Sequence, residues 1–503
     1  MLRIALHLMA HLAWTLTALI LLVVALASLA NAAPLPAAIV TQDRAVLRAT
    51  PRDSGQEQAV LWQGETVEIR GERLDYLQIY DHRRERAGFV RASQVRRVEL
   101  NPEAAPELLS VVRFLRDTAG NEALGIAFAA AYIEAAPADV LGGPEGIDAL
   151  DALGTLADRL ARRASSGVPR TKAASEALAA HLESAARYGV NFASYEREGR
   201  MVICYDGEAH RRVLAMRSSA EQRARAALAL TRPECFDPEL QPLERHRSDV
   251  WRAEVLDRVD ASGLSGYLKN RIAMARAGVW SSLAYQRVRV GESATAAAQR
   301  ALAELATIDK SQLTDQDLPA YNDAAMRVGA SRWGAAPAAA PPTRNPQIVA
   351  TRGQPGETCV ELIEIRGESR TQLAKRCTYG IVWTNSATLN REGNALALAV
   401  QPMEGWREIW LLRKDAGTWT IRVLPPTAAN PNLGYIEFAG WVPGGKELLV
   451  AREARGEGKY KRSFDVVSLD TLGTERQASD PRDLSAFKRW QDPTWKRDTV
   501  SIR

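Results

Sequence analysis

Four polar residues near the middle of the chain form its densest group of side chains that could carry chemistry. Tyr205, Asp206, Glu208 and His210 lie almost side by side in the sequence. Enzymes that cleave glycans commonly use two carboxyl groups, so Asp206 and Glu208 are candidates for a site that hydrolyses peptidoglycan. The structural alternative is that Asp206 caps a helix beginning near Glu208 and that a disulfide through Cys204 holds the segment. We favour the structural alternative.

The remaining reactive residues do not form a known catalytic or metal-binding pattern. The other histidines beyond the N-terminal apolar segment are His82, His181 and His246, and none of them belongs to an H-E-x-x-H motif. The sequence also lacks a G-x-S-x-G nucleophile motif, a Walker loop and a dinucleotide fingerprint. We therefore predict no metal, no cofactor and no enzymatic activity. A peptidoglycan-directed hydrolase with a hidden carboxylate site in the helical region is the alternative.

The N-terminus has the composition of a secretory signal peptide. Arg3 precedes an apolar run over residues 12–26, and small residues at Ala30 and Ala32 form an A-x-A cleavage site. We predict that residues 1–32 are removed and that the protein is periplasmic or secreted. The alternative is an uncleaved helix that anchors the protein in a membrane, and this segment would then be the only membrane contact.

Export makes disulfides the expected state of the four cysteines. No C-x-x-C motif occurs, so neither a redox dithiol nor a zinc knuckle is predicted. Two strand-like runs flank Glu368, and a hairpin centred there places Cys359 opposite Cys377, at a separation that a disulfide accepts. Cys204 and Cys235 then pair by elimination, and both bridges would be structural.

Residues 38–99 alternate apolar and polar side chains in short runs that predict five strands, enough for a small barrel. In the pieces "AVLRATP", "LWQGETVEIRG" and "YLQIYD…AGFVRASQV" this region resembles the bacterial SH3-like domain family. The resemblance implies a targeting or peptide-binding module of the cell envelope, often near peptidoglycan. If the module has a binding groove, Trp62, Tyr76 and Tyr80 are its candidate aromatic residues. Otherwise these rings belong to the core and rim of the barrel.

Residues 103–332 have apolar side chains at three- and four-residue spacing, which predicts an all-α domain. A small hairpin interrupts this pattern near residues 194–205 and turns at Glu198-Gly199. The Pro/Ala-rich stretch 333–346 predicts a linker.

Residues 347–503 change to strand-like alternation with an internal repeat. Similar segments begin at residues 390, 442 and 493, at a period of about 52 residues. The segment "WVPGGKELLV" resembles the TolB-like propeller repeat, which implies about three propeller-like units. The last strand could join the first hairpin and close the array, although propellers generally have four or more blades.

The predicted fold is therefore multidomain α+β: a small SH3-like β-barrel, an all-α domain, and an antiparallel β-meander of about three propeller-like units. The chain has 65 Lys and Arg residues against 60 Asp and Glu, which is too balanced to indicate nucleic-acid binding. Export, interaction-type modules and the lack of a catalytic motif favour a non-enzymatic envelope protein. Its partner would be cell-wall peptide or peptidoglycan, or another envelope protein. A periplasmic assembly factor or chaperone-like binder is a further alternative.

Overall fold

The computed structural model describes residues 36–167, 171–338, 344–428, 432–456 and 458–498. It confirms the mixed α+β class, with an antiparallel sheet at the N-terminal end, a helical middle and a sheet-rich C-terminal region. The predicted signal peptide, residues 1–32, lies outside the described residues. The chain forms two compact units, one ending at Arg217 and one beginning at Ser218. The boundary between them falls within the region predicted as a helical domain.

Seven short strands form one antiparallel sheet in the first unit, in the order β3-β2-β6-β5-β4-β1-β7. The strands are β1 Ala37–Val40, β2 Ala45–Arg48, β3 Glu57–Leu61, β4 Thr66–Arg73, β5 Tyr76–Asp81, β6 Arg86–Arg91 and β7 Val95–Val98. They share a core that includes Leu47, Ile79 and Val90. Among the described strands, the outermost two, β3 and β7, do not pair with each other. The sheet therefore has two more strands than expected and does not close into a barrel in the described residues.

Strand β1 joins this sheet to the helices of the first unit because both of its faces are buried. Ala38 and Val40 belong to the core of the sheet. Ala37 and Ile39 point the other way and pack among helical residues such as Phe128. An unbroken run of buried residues is typical of a strand that is covered on both sides.

The described part of the first unit also contains six helices and a hairpin. The helices are α1 Ala105–Arg116, α2 Glu122–Ala135, α3 Ala138–Leu141, α4 Pro144–Ser165, α5 Lys172–Arg187 and α6 Glu208–Ala215. The hairpin consists of β8 Phe192–Arg197 and β9 Arg200–Tyr205 and turns at Glu198-Gly199, as predicted.

The second unit begins with helices that a buried polar network holds together. They are α7 Ala220–Leu230, α8 Pro242–Asp257, α9 Gly266–Arg289, α10 Thr295–Ala306 and α11 Leu318–Ser331. Asp249 of α8 accepts hydrogen bonds from Ser282 Oγ (2.6 Å) and Gln286 Nε2 (2.7 Å) of α9 and pairs with Arg252 (2.6 Å). Because this buried carboxylate has several donors around it, the network stabilises the helix pair.

The residues that follow α11 pack against the β region, although they were predicted to belong to a linker. A 3-10 turn covers Arg332–Ala335, at the start of the predicted linker. Asn385 Nδ2 donates a hydrogen bond to the carbonyl oxygen of Trp333 (3.0 Å).

The C-terminal region contains a three-stranded sheet and two four-stranded meanders. The strands are β10 Gln347–Arg352, β11 Thr358–Arg366 and β12 Ser369–Thr378; β13 Ile381–Leu389, β14 Ala395–Met403, β15 Trp406–Asp415 and β16 Thr418–Leu424; and β17 Leu433–Trp441, β18 Glu447–Gly456, β19 Lys459–Ser468 and β20 Thr474–Ala478. A short parallel pairing of β15 with β17 joins the two meanders. Their first strands begin at residues 381 and 433, in keeping with the period of the sequence repeat.

The three groups of strands pack against one another through their faces. Leu398 of β14 points to the three-stranded sheet, where it shares a core with Val360. The neighbouring residue Ala397 points the opposite way and shares a core with Val450 of the second meander. Strand β14 is therefore apolar on both sides, which explains its continuous run of buried residues.

In the part of the chain that the structure describes, helices cover the C-terminal end of this stack. Helices α12 Ser485–Trp490 and α13 Pro493–Asp498 place Phe487 and Trp495 against Phe464 of β19, at ring-centroid distances of 5.7 and 6.3 Å. The third similar segment thus begins as a helix at Pro493, and the last predicted strand, residues 498–503, lies outside the described residues except for Asp498, which ends that helix.

The other end of the stack has a polar surface. On the outward side of the three-stranded sheet, Glu361 accepts hydrogen bonds from Lys375 Nζ (2.9 Å) and Thr351 Oγ1 (3.1 Å). A polar outer face is how linear repeat arrays end. The described strands thus form an open stack, and no propeller ring closes among them.

The hairpin formed by β11 and β12 carries the predicted disulfide. Cys359 and Cys377 are directly paired across the strands and are covalently bonded. The two-residue turn begins at Gly367, so its centre lies half a residue before the predicted one, and a bulge after Leu362 restores the register. The predicted pairing is right because these two deviations cancel.

Candidate functional site

The first unit has a sheet surface that its own core does not use. On β5, Leu77 and Ile79 point into the core, so Gln78 and Tyr80 point to the opposite side. Phe89 of β6 lies directly opposite Gln78 and therefore on the same side. The same alternation places Arg48 and Val46 of β2 there. We name this surface the outer face and define it by Val46, Arg48, Gln78, Tyr80 and Phe89.

Tyr80 lies at one end of the outer face within a cluster of charged groups. The guanidinium carbon of Arg70 lies 3.9 Å from the centre of its ring, and the ring of His82 contacts it edge-on at 4.8 Å. Glu68 accepts hydrogen bonds from Arg70 Nε (2.9 Å) and lies 2.6 Å from His82 Nε2. The hydrogen bonds from Arg70 and His82 lower the pKa of Glu68. The charges at this end are thus paired with one another and hold the Tyr80 ring in place.

Tyr76, the second aromatic candidate, lies at the other end of β5 and is only 2 % exposed. Its hydroxyl donates a hydrogen bond to Asp53 (2.7 Å), which raises the pKa of Tyr76 and lowers that of Asp53. Arg91 lies over the ring at 5.2 Å and pairs with both Asp53 and Asp75. This ring therefore supports the neighbouring turn and is not available as a contact surface.

Trp62, the third candidate, lies away from the other two. It follows β3, which is separated from β5 by β2 and β6. Its ring lies 5.8 Å from the guanidinium carbon of Arg44, and its backbone N–H donates to Glu65 (3.2 Å). The structure thus does not bring Trp62 together with Tyr76 and Tyr80.

The centre of the outer face contains residues that the sequence interpretation missed. Gln78 is exposed and Phe89 is half-buried, and they form a cross-strand pair of an amide and a phenyl ring. Val46 and Val60 form a neighbouring apolar pair. The alternation of apolar and polar residues in β5 and β6 could have indicated that Gln78 and Phe89 point away from the core. Their pairing could be recognised only from the strand register, which places Phe89 opposite Gln78.

The polar group around residue 205 divides into an inward and an outward pair. Tyr205 and His210 are buried, with ring centroids 5.9 Å apart. Glu208 is exposed and pairs with Arg211 (3.1 Å), and Asp206 Oδ1 accepts a hydrogen bond from Glu208 N (3.0 Å) at the start of α6. This is the predicted capping role of Asp206, although Gly207 occupies the N-cap position.

Burial determines the protonation of the inward pair. Loss of solvent raises the pKa of Tyr205 to about 12, and its hydroxyl oxygen accepts a hydrogen bond from Ala209 N (2.8 Å). Burial lowers the pKa of His210, whose ring lies against Gly154 of α4: a Cβ at that glycine would lie 2.6 Å from the ring. These contacts are typical of helix packing. Asp206 and Glu208 point outward, so they do not form one site with the buried Tyr205 and His210.

A second polar chain fixes the sheet to the helices of the first unit. His181 Nε2 lies 2.7 Å from Asp43 Oδ1, and His181 Nδ1 lies 2.7 Å from Arg163, which also pairs with Glu122 (2.5 Å). Because Arg163 can only donate, Nδ1 accepts and Nε2 carries the proton toward Asp43. Burial raises the pKa of Asp43, but the hydrogen bond and the charge of His181, together with the hydrogen bond from Gln63 N and the charge of Arg163, outweigh it, and the pKa is lowered overall. The sheet is thus a rigid part of the first unit.

Among the described residues, one group of three potential metal ligands lies close together: Glu357, Cys359 and Cys377. Both sulfurs are in the disulfide, so they are not available as thiolate ligands.

Cys204 and Cys235 are also disulfide-bonded, and no described cysteine is free. Two disulfides are therefore present, as predicted. Disulfides persist in oxidising compartments, which indicates a location outside the cytoplasm.

The chain was compared with protein families, curated proteins and solved structures. None of them matches it. Within the described ranges, none of the helices is both long enough and apolar enough to cross a membrane. The side chains exposed on the outer face are the basis of the functional proposal that follows.

Proposed function

We propose that this chain is an exported, non-enzymatic envelope protein that binds a peptide-bearing partner through the outer face of its N-terminal sheet. The partner would be cell-wall peptide or an envelope protein, and the second unit would serve as a scaffold. The observation that carries the proposal is the cross-strand pair of Gln78 and Phe89 on the open side of a rigid sheet. An amide and an aromatic ring side by side can bind the backbone and the apolar side chains of a peptide.

The charged groups around the outer face already have partners within the protein, which favours ligand binding through the polar and aromatic side chains instead. Glu68 is paired with Arg70 and His82, and Arg48 Nη1 donates to the carbonyl oxygen of Gly55 (3.0 Å). A ligand that depended on these charges would have to displace their present partners, so Gln78 and Phe89 offer the more accessible contacts. The resemblance to bacterial SH3-like modules and the disulfides are consistent with a peptide-binding protein of the envelope.

Point substitutions test the proposal better than deletion of the sheet, because β1 shares the helical core and a deletion would unfold the first unit. The wild type is tested for retention on purified sacculi and for crosslinking to envelope proteins. The double variant with Phe89→Ser and Gln78→Ala should lose whichever of these two interactions the wild type shows. Trp490→Ser, which removes an aromatic side chain that is 44 % exposed in the second unit, is the matched control and should leave binding unchanged. Thermal unfolding of each variant checks that it is folded.

The outcomes separate the alternatives. Retention on protein-free sacculi identifies peptidoglycan as the ligand. Crosslinking without such retention identifies a protein partner, and an assembly factor would behave in this way. The proposal fails if the wild type binds neither, or if the Phe89→Ser and Gln78→Ala variant binds as well as the wild type. Release of soluble fragments from sacculi that is lost in Glu208→Ala would favour a hydrolase instead.

A further inference from the structure

The disulfide of the three-stranded sheet lies on the outward side of that sheet, beside a carboxylate. Val360 of β11 points into the core, so the neighbouring Cys359 points outward. A carboxylate oxygen of Glu357 and the sulfurs of Cys359 and Cys377 all lie within 4.8 Å of one another. Three groups of the kinds that coordinate metals thus meet on this side of the sheet.

The loop between β10 and β11 holds the carboxylate next to Cys359. Gly353 N donates a hydrogen bond to the carbonyl oxygen of Glu357 (3.1 Å), and Gln354 N donates one to its carboxylate (3.0 Å). A Cβ atom at Gly353 would clash with Glu357 Oε2 and would lie 3.0 Å from Cys359 Sγ. A residue without a side chain is therefore required where the loop meets the carboxylate and the sulfur. The loop leaves Cys359 only 3 % exposed, whereas Cys377 is half-buried.

Glu357 has no cationic partner in the part of the chain that the structure describes. Its neighbour on β11, Glu361, shows the contrasting arrangement, because it accepts a hydrogen bond from Lys375 Nζ (2.9 Å). While the disulfide is intact, both sulfurs beside Glu357 are neutral. Two thiolates in their place would bring three negative charges together, which a divalent cation would largely neutralise.

Backbone pairing would keep the two cysteines opposed after reduction of the disulfide. Val360 pairs with Arg376 on one side of them and Thr358 pairs with Thr378 on the other. Directly opposed strand residues have Cβ atoms about 4.5–5.5 Å apart. Because a zinc–thiolate bond is about 2.3 Å long, two sulfurs at such positions can reach the same ion.

We propose that Glu357, Cys359 and Cys377 form a redox-gated site for a divalent cation of the Zn²⁺ type. The site is closed while the two sulfurs are bonded to each other and open once they are reduced. Two thiolates and one carboxylate suit Zn²⁺ and leave its fourth tetrahedral position for water. Mg²⁺ and Ca²⁺ prefer oxygen ligands alone. The inference does not depend on the proposed function of the outer face, which lies in the other unit.

The site opens by thiol–disulfide exchange with a dithiol reductant. A thiolate of the reductant attacks the sulfur of Cys377, because the loop covers Cys359. The S–S bond of the protein breaks, Cys359 leaves as a thiolate, and a mixed disulfide joins Cys377 to the reductant. The second thiol of the reductant loses its proton and attacks the reductant's sulfur in the mixed disulfide, which releases Cys377 as a thiolate. The reductant is oxidised to a disulfide and the protein gains two electrons. Without a cation the two protein thiolates take up the two protons that the reductant has lost, and with Zn²⁺ bound these protons stay in the medium.

The experiment uses Co²⁺ as a probe and the full-length protein, reduced by a dithiol that is then removed without air. Thiolate ligands give Co²⁺ a charge-transfer absorption, and Zn²⁺, which prefers tetrahedral sulfur ligands, should displace Co²⁺ and remove that absorption. The oxidised protein should not show it. The double variant with Cys359→Ser and Cys377→Ser should lose it, and Glu357→Gln should raise the dissociation constant of Zn²⁺ about tenfold or more. Glu361→Gln, on the same strand, is the matched control and should bind like the wild type.

Alkylation with mass mapping shows whether Cys359 and Cys377 are reduced, and thermal unfolding shows whether each protein is folded. A bridge that the dithiol reduces only after unfolding would overturn the inference, as would a reduced wild type that binds no Co²⁺. Absorption that persists in the double serine variant would place the ion at Cys204 and Cys235 instead. Wild-type affinity for Zn²⁺ in Glu357→Gln would refute the carboxylate as a ligand and the three-ligand site with it. None of these results affects the outer face, so the proposed function is tested separately.

Discussion

The N-terminal sheet and the C-terminal stack are both antiparallel, but they differ in how many of their faces the fold covers. In β14 both sides are buried, one against the three-stranded sheet and one against the second meander. In β5 the side with Leu77 and Ile79 is buried, whereas the other side has buried Tyr76 at one end, exposed Gln78 in the middle and half-buried Tyr80 beyond it. The stack therefore buries both sides of its central strand, whereas the N-terminal sheet leaves part of one face exposed.

Charged groups differ between the two regions in the same way. Glu68 is half-buried, but its partners Arg70 and His82 are exposed. Glu437 lies in the interior between Arg332 and Arg407. Arg407 is fully buried, donates a hydrogen bond to the carbonyl oxygen of Gly329 at the end of α11 (2.5 Å), and has its pKa lowered to about 10 by burial. It therefore remains charged at neutral pH.

The largest expected effect is the loss of the buried carboxylate. Glu437→Ala leaves Arg332 and Arg407 buried without their acidic partner and should lower the free energy of unfolding by about 3–5 kcal/mol. Glu68→Ala in the first unit should have a much smaller effect, because its partners Arg70 and His82 are exposed to solvent. Urea denaturation of both variants measures the difference. If the two variants lost equal stability, the contrast between the buried charges around Glu437 and the solvent-exposed charges around Glu68 would be wrong.

The aromatic residues provide a second contrast. Phe487→Ala removes a buried ring that contacts Phe464 and Trp495 and should cost about 3 kcal/mol. Phe89→Ala on the outer face should cost about 1 kcal/mol, because the ring is only half-buried. If Phe89 proved as important for stability as Phe487, the outer face would be part of the core and not a binding surface.

The histidines extend the contrast to pH. Burial lowers the pKa of His210, so below about pH 6.5 the unfolded chain takes up a proton that the folded chain does not bind. Stability should therefore fall as the pH decreases below this value, by up to about 1.4 kcal/mol per pH unit. His210→Gln should reduce this dependence. Thermal unfolding between about pH 5.5 and pH 7.5, one unit on either side of the usual imidazole pKa of about 6.5, tests this. An unchanged pH dependence in His210→Gln would contradict it.

The smallest expected effect is at the edge of the outer face. Arg70→Ala removes the cation over the Tyr80 ring and should cost about 0.5–1 kcal/mol. Arg70→Lys keeps the charge but not the planar group and should recover part of this loss. Chemical denaturation measures both values, and a loss as large as that of Glu437→Ala would contradict the surface position of this pair.

Local patterns in the sequence predicted the features that depend on neighbouring residues. The hairpin at Glu198-Gly199, the start of α6 at Glu208 and the pairing of Cys359 with Cys377 all follow from turn residues, caps and strand register. The repeat in the C-terminal region also reflects real structural units, which begin at residues 381 and 433.

Features that depend on distant contacts could not be predicted in this way. The segment from residue 493 is similar in sequence to the start of the earlier repeat units, but residues 493–498 form a helix, and Trp495 packs against the distant Phe464. The grouping of Trp62 with Tyr76 and Tyr80 failed because aromatic type does not reveal strand order. The outer face became apparent only once the register placed Phe89 beside Gln78.

Hydrogen–deuterium exchange of the full-length protein, free and bound to the envelope fraction that retains it, tests the central claim most directly. We predict that binding slows exchange in residues 74–91, which include β5 and β6, and leaves exchange in β17 to β20 unchanged. Slower exchange confined to the C-terminal stack, with no change in residues 74–91, would contradict the assignment of the outer face as the binding surface.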